Sequence, residues 1–139
     1  MVSGTFEKFG VISHTVDTKI PDFVTYLEQG KVMATRCKRC HTLYFPPKVD
    51  CPKCVVSDMA WEEISGEGTL LTYSTVHYGP AGFEDKAPYT LGLARFGDIQ
   101  VFAFLSKDIT PGDMKVGMKV KIAAVKLPPD RVSFELRKA

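Results

Sequence analysis

No cysteine of this chain stands outside two short motifs. Cys37-Lys38-Arg39-Cys40 and Cys51-Pro52-Lys53-Cys54 hold all four, which leaves no thiol free to act as a nucleophile or to carry an acyl-enzyme. Long apolar runs are missing too: none approaches the roughly twenty residues of a membrane span. The opening Met1-Val2-Ser3-Gly4 shows neither the basic stretch nor the apolar segment of a secretory signal. The expectation is a cytoplasmic protein without a membrane role. Charge of one sign is also scarce. The formal net charge is +2, and Lys and Arg are spread along the chain with a modest cluster from Lys31 to Lys53. A protein that lives on a phosphate backbone usually carries a stronger basic excess. The nucleophile elbow G-x-S-x-G, the P-loop and the dinucleotide fingerprint are absent, as are internal repeats and low-complexity tracts. Of three histidines, none sits in a metal or triad pattern. His77, on an expected strand, reads as a hydrogen-bonded surface or core residue rather than a base. Catalysis by this chain alone is not expected.

What the sequence does have is a metal site. Two C-x2-C pairs separated by ten residues are the ligand set of a structural zinc ribbon. Each pair turns tightly enough to aim both thiolates at one ion, and four thiolates close the coordination shell. In a reducing compartment such pairs are metal ligands more often than disulfides. Iron in a rubredoxin-like site uses the same four thiolates and stays open as the alternative to zinc. Replacing one ligand, such as Cys40, is expected to unfold the ribbon while leaving much of the remaining β structure.

Three segments follow from the hydrophobic pattern. Residues 1–30 read as an irregular lead-in, anchored by Val11, Ile12 and Val16, and a helix of about three turns. Ile20-Pro21-Asp22 opens that helix and Gly30 stops it. Its sticky face, Phe23, Tyr26 and Leu27, either pads the ribbon or docks a partner. Residues 31–60 read as the ribbon, with strands at Lys31–Arg36 and Leu43–Phe45, the latter ended by Pro46-Pro47. Residues 61–139 read as β: Thr69–Tyr78, Tyr89–Phe96, Ile99–Leu105, Lys119–Val125 and Val132–Leu136. Gly97-Asp98 turns the second strand into the third, and Gly66 and Gly68 signal a bulge or sharp coil. Residues 107–117 form a turn-rich crossover with one helical turn. Five strands broken between the third and fourth match an OB-fold barrel. The fold class is mainly β, with an N-terminal helix and rubredoxin-like zinc ribbon followed by a five-stranded OB-fold barrel.

The layout also resembles a known family. The helix, the C-x2-C pair, Tyr44-Phe45-Pro46-Pro47, Cys51-Pro52-x-Cys54, Trp61, Ser65-Gly66-x-Gly68-Thr69, Ala87-Pro88-Tyr89 and Val116-Gly117-Met118 are similar to those of the zinc-ribbon plus OB-fold acyl-CoA-associated proteins. The resemblance spans roughly residues 20–136. It implies a small accessory subunit that accompanies a thiolase-fold catalytic subunit in a hetero-oligomer. In that family glycine commonly follows the second cysteine of each pair, where the knuckle favours positive φ. His41 and Val55 stand there in this chain, and β-branched Val55 predicts a distorted second knuckle.

Binding is what such a chain can offer an acyl-CoA enzyme. Arg36, Lys38, Arg39, Lys48 and Lys53 surround the ribbon and suit the pyrophosphate and 3′-phosphate of coenzyme A, or an acidic partner surface; a solvated shell around the metal site explains them equally well. The Gly79-Pro80-Ala81-Gly82-Phe83 loop is either a flexible closure over an acyl group or a plain connection. The docking face is expected at Phe23, Tyr26, Leu27, Tyr44, Phe45 and Phe83. The alternative function is a zinc-ribbon/OB-fold module for single-stranded nucleic acid, which needs exposed aromatics interleaved with cations. Tyr73 and Phe96 have few basic neighbours other than Arg95. A scaffold without ligand contact is the third reading.

Overall fold

Pro21 pre-sets the backbone for a helix and Asp22 places an acid in its first turn, so that α1 runs over Asp22–Glu28 in a computed structural model that describes residues 8–11, 20–85, 87–128 and 130–139. Gly30, at φ 85°, ends it. There the Gly30 and Lys31 amides donate back to the Leu27 and Tyr26 carbonyls at 3.0 and 2.9 Å. The helix is shorter than the three turns expected. Phe23, Val24 and Leu27 are all buried, so the sticky face pads the interior, and Phe23 and Leu27 are withdrawn as docking residues. Tyr26 is half-buried against Trp61, ring centroids 5.3 Å apart.

The ribbon is a three-stranded antiparallel sheet: β1 (Met33–Cys37) in the centre, β2 (Leu43–Tyr44) on one side and β3 (Met59–Glu63) on the other. β3 is cut by the expected boundary between ribbon and barrel, after residue 60. It pairs with β1 at five positions, from Met33 opposite Glu63 to Cys37 opposite Met59. Trp61-Glu62-Glu63 has no period-2 pattern because both faces of this short edge strand are partly exposed.

Five longer strands close into a barrel: β4 (Gly68–Val76), β5 (Tyr89–Phe96), β6 (Ile99–Leu105), β7 (Lys119–Leu127) and β8 (Arg131–Lys138), in the order β4-β5-β6-β8-β7. β6 and β8 run parallel and every other pairing is antiparallel. This is the expected OB-fold. β5 and β6 have the bounds read from the sequence, and the anticipated bulge falls between Leu70 and Thr72. A side chain at Gly92 would run into the Leu105 and Leu70 methyls inside the barrel. β4 stops at Val76, which puts His77 in an exposed bend rather than on a strand. The crossover after β6 is built of turns without a helical turn, and it is pinned by Ile109, 2% exposed.

Ribbon and barrel share one core. Phe23, Val32 and Ala34 belong to the same buried cluster as Leu70, Val101, Val120 and Leu136. At the junction Phe45 packs edge-on against Phe134, with Phe23 and Phe9 completing an aromatic group. Phe9 also bridges to Val132 alongside β8. Val11 is in place to line a cleft at the barrel, whereas Ile12 and Val16 lie outside the described residues. The shared core bears on the expectation that the ribbon unfolds by itself, because the junction aromatics pack against ribbon and barrel alike.

Candidate metal centre and its surroundings

The first knuckle hangs from the end of β1 at Cys37 and the second from the isolated Cys51–Val56 bridge ahead of β3, and each closes on its own backbone. His41 donates its amide to the Cys37 carbonyl at 2.9 Å, and Val55 does the same to Cys51 at 2.8 Å. These bonds require positive φ, and His41 and Val55 adopt 62° and 55°. The second knuckle is therefore regular, not distorted as its sequence predicts. Val55 takes up the strain with its side chain 84% exposed, clear of steric conflict with the core. The Arg39 and Cys54 amides donate to Cys37 Sγ and Cys51 Sγ, both at 3.4 Å.

All four sulfurs lie within 4.8 Å of one another, and Cys40 Sγ is 3.6 Å from Cys51 Sγ. A tetrahedral zinc with Zn–S bonds of about 2.3 Å needs sulfur–sulfur edges of about 3.8 Å. The donor set fits one structural zinc. The electrostatics agree. The Tyr44 hydroxyl donates to Cys51 Sγ at 3.3 Å, which draws the Cys51 thiol down to about 6 and pushes the phenol up to about 12. Thr42 Oγ1, 3.2 Å from Cys40 Sγ, lowers that thiol by donating to its ionised form. Burial, followed by contact with the other thiols, holds Cys54 up at about 12. Four thiolates packed this closely ionise together only around a cation. The Tyr44 and Thr42 contacts were not foreseen; their sequence signal was no more than a hydroxyl residue beside a knuckle.

The five ribbon cations do not form one patch of equal members. Arg36 makes a two-pronged pair with Glu62, at 2.8 and 2.7 Å, and donates to the His41 carbonyl at 2.7 Å. Its charge is spent inside the ribbon. Lys38 lies 3.6 Å from Asp58, Lys53 reaches Thr42 Oγ1 at 3.4 Å, and the Lys48 ammonium sits 6.0 Å from the Tyr44 ring. Lys38, Arg39, Lys48 and Lys53 are all exposed. The 79–83 loop is anchored: Phe83 packs on Tyr89 and Phe104 at 6.1 and 6.3 Å, and its amide bonds the Pro80 carbonyl. Phe96, named as a base-stacking candidate, is 6% exposed and belongs to the core. Tyr73 is partly exposed and its hydroxyl donates to the Met114 carbonyl. Among the described residues no helix is long and apolar enough to cross a membrane.

A rubredoxin-like zinc ribbon joined to an OB-fold barrel is the class these features define. Comparison with known proteins agrees, with residues 25–60 matching the family described as the ChsH2 rubredoxin-like zinc ribbon domain and residues 61–125 the ChsH2 C-terminal OB-fold domain. A DUF35 domain-containing scaffold protein of Methanocaldococcus jannaschii is 36% identical over 105 residues, covering 74% of each chain. The chain belongs to the DUF35 domain-containing scaffold protein family. The benzoylsuccinyl-CoA thiolase subunit BbsA of Thauera aromatica is 28% identical over 109 residues, 74% of this chain and 73% of that one. Among solved structures, the Ltp2-ChsH2(DUF35) aldolase superposes with a TM-score of 0.75 at 24% identity, covering 91% of this chain and 98% of that one. A DUF35 protein of unknown function from Sulfolobus solfataricus gives 0.58 at 23% identity, with 88% and 90% covered. The two superpositions speak to the fold.

Proposed function

We propose that this chain is a non-catalytic, zinc-binding accessory subunit of a thiolase-type acyl-CoA enzyme complex, stabilising a thiolase-fold catalytic partner and helping to bind or position acyl-CoA. One observation carries the reading: all four cysteines are committed to a closed metal site, in a family whose relatives include a thiolase subunit. A chain without a free thiol has nothing with which to form the acyl-enzyme of thiolase chemistry. The nucleotide end of CoA is assigned to Lys38, Arg39, Lys48 and Lys53, with Arg36 in a supporting role through Glu62. The partner contact is assigned to the outer face of β5 and β6, where Phe102 is 62% exposed opposite Leu93. Exposed aromatics of this kind are favoured anchors, and Phe102→Ala should cost on the order of 1–3 kcal/mol in association. Co-expression with a thiolase-fold subunit and size-exclusion chromatography test the proposal. Co-elution supports it, and separate elution contradicts it.

A further inference from the structure

The four cysteines of the metal centre are not equally placed. Cys37 and Cys51 are fully buried, at 0% exposure each, and Cys54 is half-buried, whereas Cys40 is exposed. The inner sulfurs are also held by polar contacts. Cys37 Sγ accepts the Arg39 amide, and Cys51 Sγ accepts both the Cys54 amide and the Tyr44 hydroxyl. Cys40 Sγ has the Thr42 hydroxyl at 3.2 Å, and Lys53 Nζ stands behind that hydroxyl, 3.4 Å from Thr42 Oγ1. The solvent-facing sulfur therefore has a cation on its own side. Across the gap between the knuckles, Cys40 Sγ lies 3.6 Å from the buried Cys51 Sγ. An accessible thiolate near positive charge, with a second cysteine sulfur beside it, is the setting in which cysteine is oxidised reversibly.

We propose that Cys40 is a site of modification by hydrogen peroxide, resolved by Cys51, through which oxidation opens the metal centre. The Cys40 thiolate attacks the peroxide: an S–O bond forms, the O–O bond breaks and hydroxide leaves, giving the sulfenic acid of Cys40. The Cys51 thiolate then attacks that sulfur, so that an S–S bond forms, the S–O bond breaks and a second hydroxide leaves. Each hydroxide takes a proton from the solvent. Two thiolates are oxidised to a disulfide, and the peroxide is reduced to two waters. Cys37 and Cys54 then remain as the donors, and two thiolates do not close the four-coordinate shell that a structural zinc requires. A thiol reductant reverses the bond by exchange and returns all four donors. No step depends on a thiolase-fold partner.

The test uses the full-length, zinc-loaded chain without a partner, treated with hydrogen peroxide. Zinc release is followed with a chromogenic chelator, and the cysteines are mapped by alkylation, proteolysis and mass spectrometry. Released zinc and disulfide should rise together in equal amounts, with the bond between Cys40 and Cys51 and with Cys37 and Cys54 still open to alkylation. A thiol reductant with added zinc should restore the starting state. Cys40→His keeps a donor that zinc accepts but removes the exposed sulfur, and it should release zinc several-fold more slowly under peroxide. Cys54→His, with Cys40 intact, should stay as sensitive as the unmodified chain. If either variant fails to hold zinc, the bond map of the unmodified chain decides. Zinc retained with all four thiols open to alkylation, a first disulfide other than Cys40–Cys51, or equal release from Cys40→His and the unmodified chain would each overturn the inference.

Discussion

Phe45, at the exit of the ribbon, and Phe134, on the last barrel strand, meet edge to face with ring centroids 5.3 Å apart. This contact joins a metal-held unit to a hydrophobic one. A thirty-residue ribbon has too little apolar interior to stand alone, and here it borrows from α1 and the barrel. The barrel in turn has its junction closed by ribbon and helix aromatics.

Zinc removal should therefore be felt by the whole chain. Fresh protein should contain one zinc per chain. Chelation or Cys40→Ser should lower the melting temperature of the barrel's β signal as well as the ribbon's, by about 10 °C for a loss of about 3 kcal/mol. Phe45→Ala should act in the same direction with the metal retained, at about 2–4 kcal/mol. Circular dichroism with metal analysis checks both. A barrel transition indifferent to chelation would mean that the shared core contributes little.

The Arg36–Glu62 pair makes a small prediction of defined sign. Its hydrogen bonds hold the Glu62 carboxyl below the ordinary value of 4.5. A carboxyl lowered in the folded state stabilises above its unfolded pKa, and that contribution disappears as pH falls through the folded value. Both side chains are more than a third exposed, at 34% and 45%, so screening limits the effect to under about 1 kcal/mol. Glu62→Gln should reduce stability slightly at pH 7 and by less at pH 3, below the ordinary carboxyl value. Urea melts at the two pH values read the difference directly.

The ribbon cations predict a salt-dependent affinity for the nucleotide end of CoA. Reversing Lys53 or Arg39 to Glu should weaken binding of free CoA several-fold at low ionic strength, with less effect at about 0.5 M salt, where the Debye length is only a few ångströms. Arg36→Gln should affect stability more than binding, because its charge already belongs to Glu62. Calorimetric titration separates these outcomes, and equal affinity across all variants would place CoA elsewhere.

The extent of the sequence signal varied with how local its cause was. β5 and β6 were legible to the residue because inner and outer positions alternate strictly, from Thr90 to Phe96 and from Ile99 to Leu105. The metal ligands were legible because their spacing is itself the geometry. β3 was missed as a ribbon strand because its identity depends on β1, more than twenty residues away, and not on its own pattern. The burial of Phe23 and Leu27 could not be separated from a docking role, since an apolar helix face looks the same whether its partner is this chain or another. Val55 shows the reverse case. The residue argued against a regular knuckle, and the 2.8 Å hydrogen bond to Cys51 imposed one. The cleft beside Thr75 and Ile109 left no motif at all, because its walls come from all five barrel strands and the crossover.

The most direct test of the central claim is the turnover of a thiolase-fold subunit co-expressed with this chain, measured with the chain present, absent and added back. Activity on an acyl-CoA substrate should be low in its absence and restored by zinc-loaded chain, while the chain alone shows no thiolysis or condensation. Full activity of the thiolase-fold subunit by itself, or an acyl-thioester formed on the isolated chain, would contradict the account.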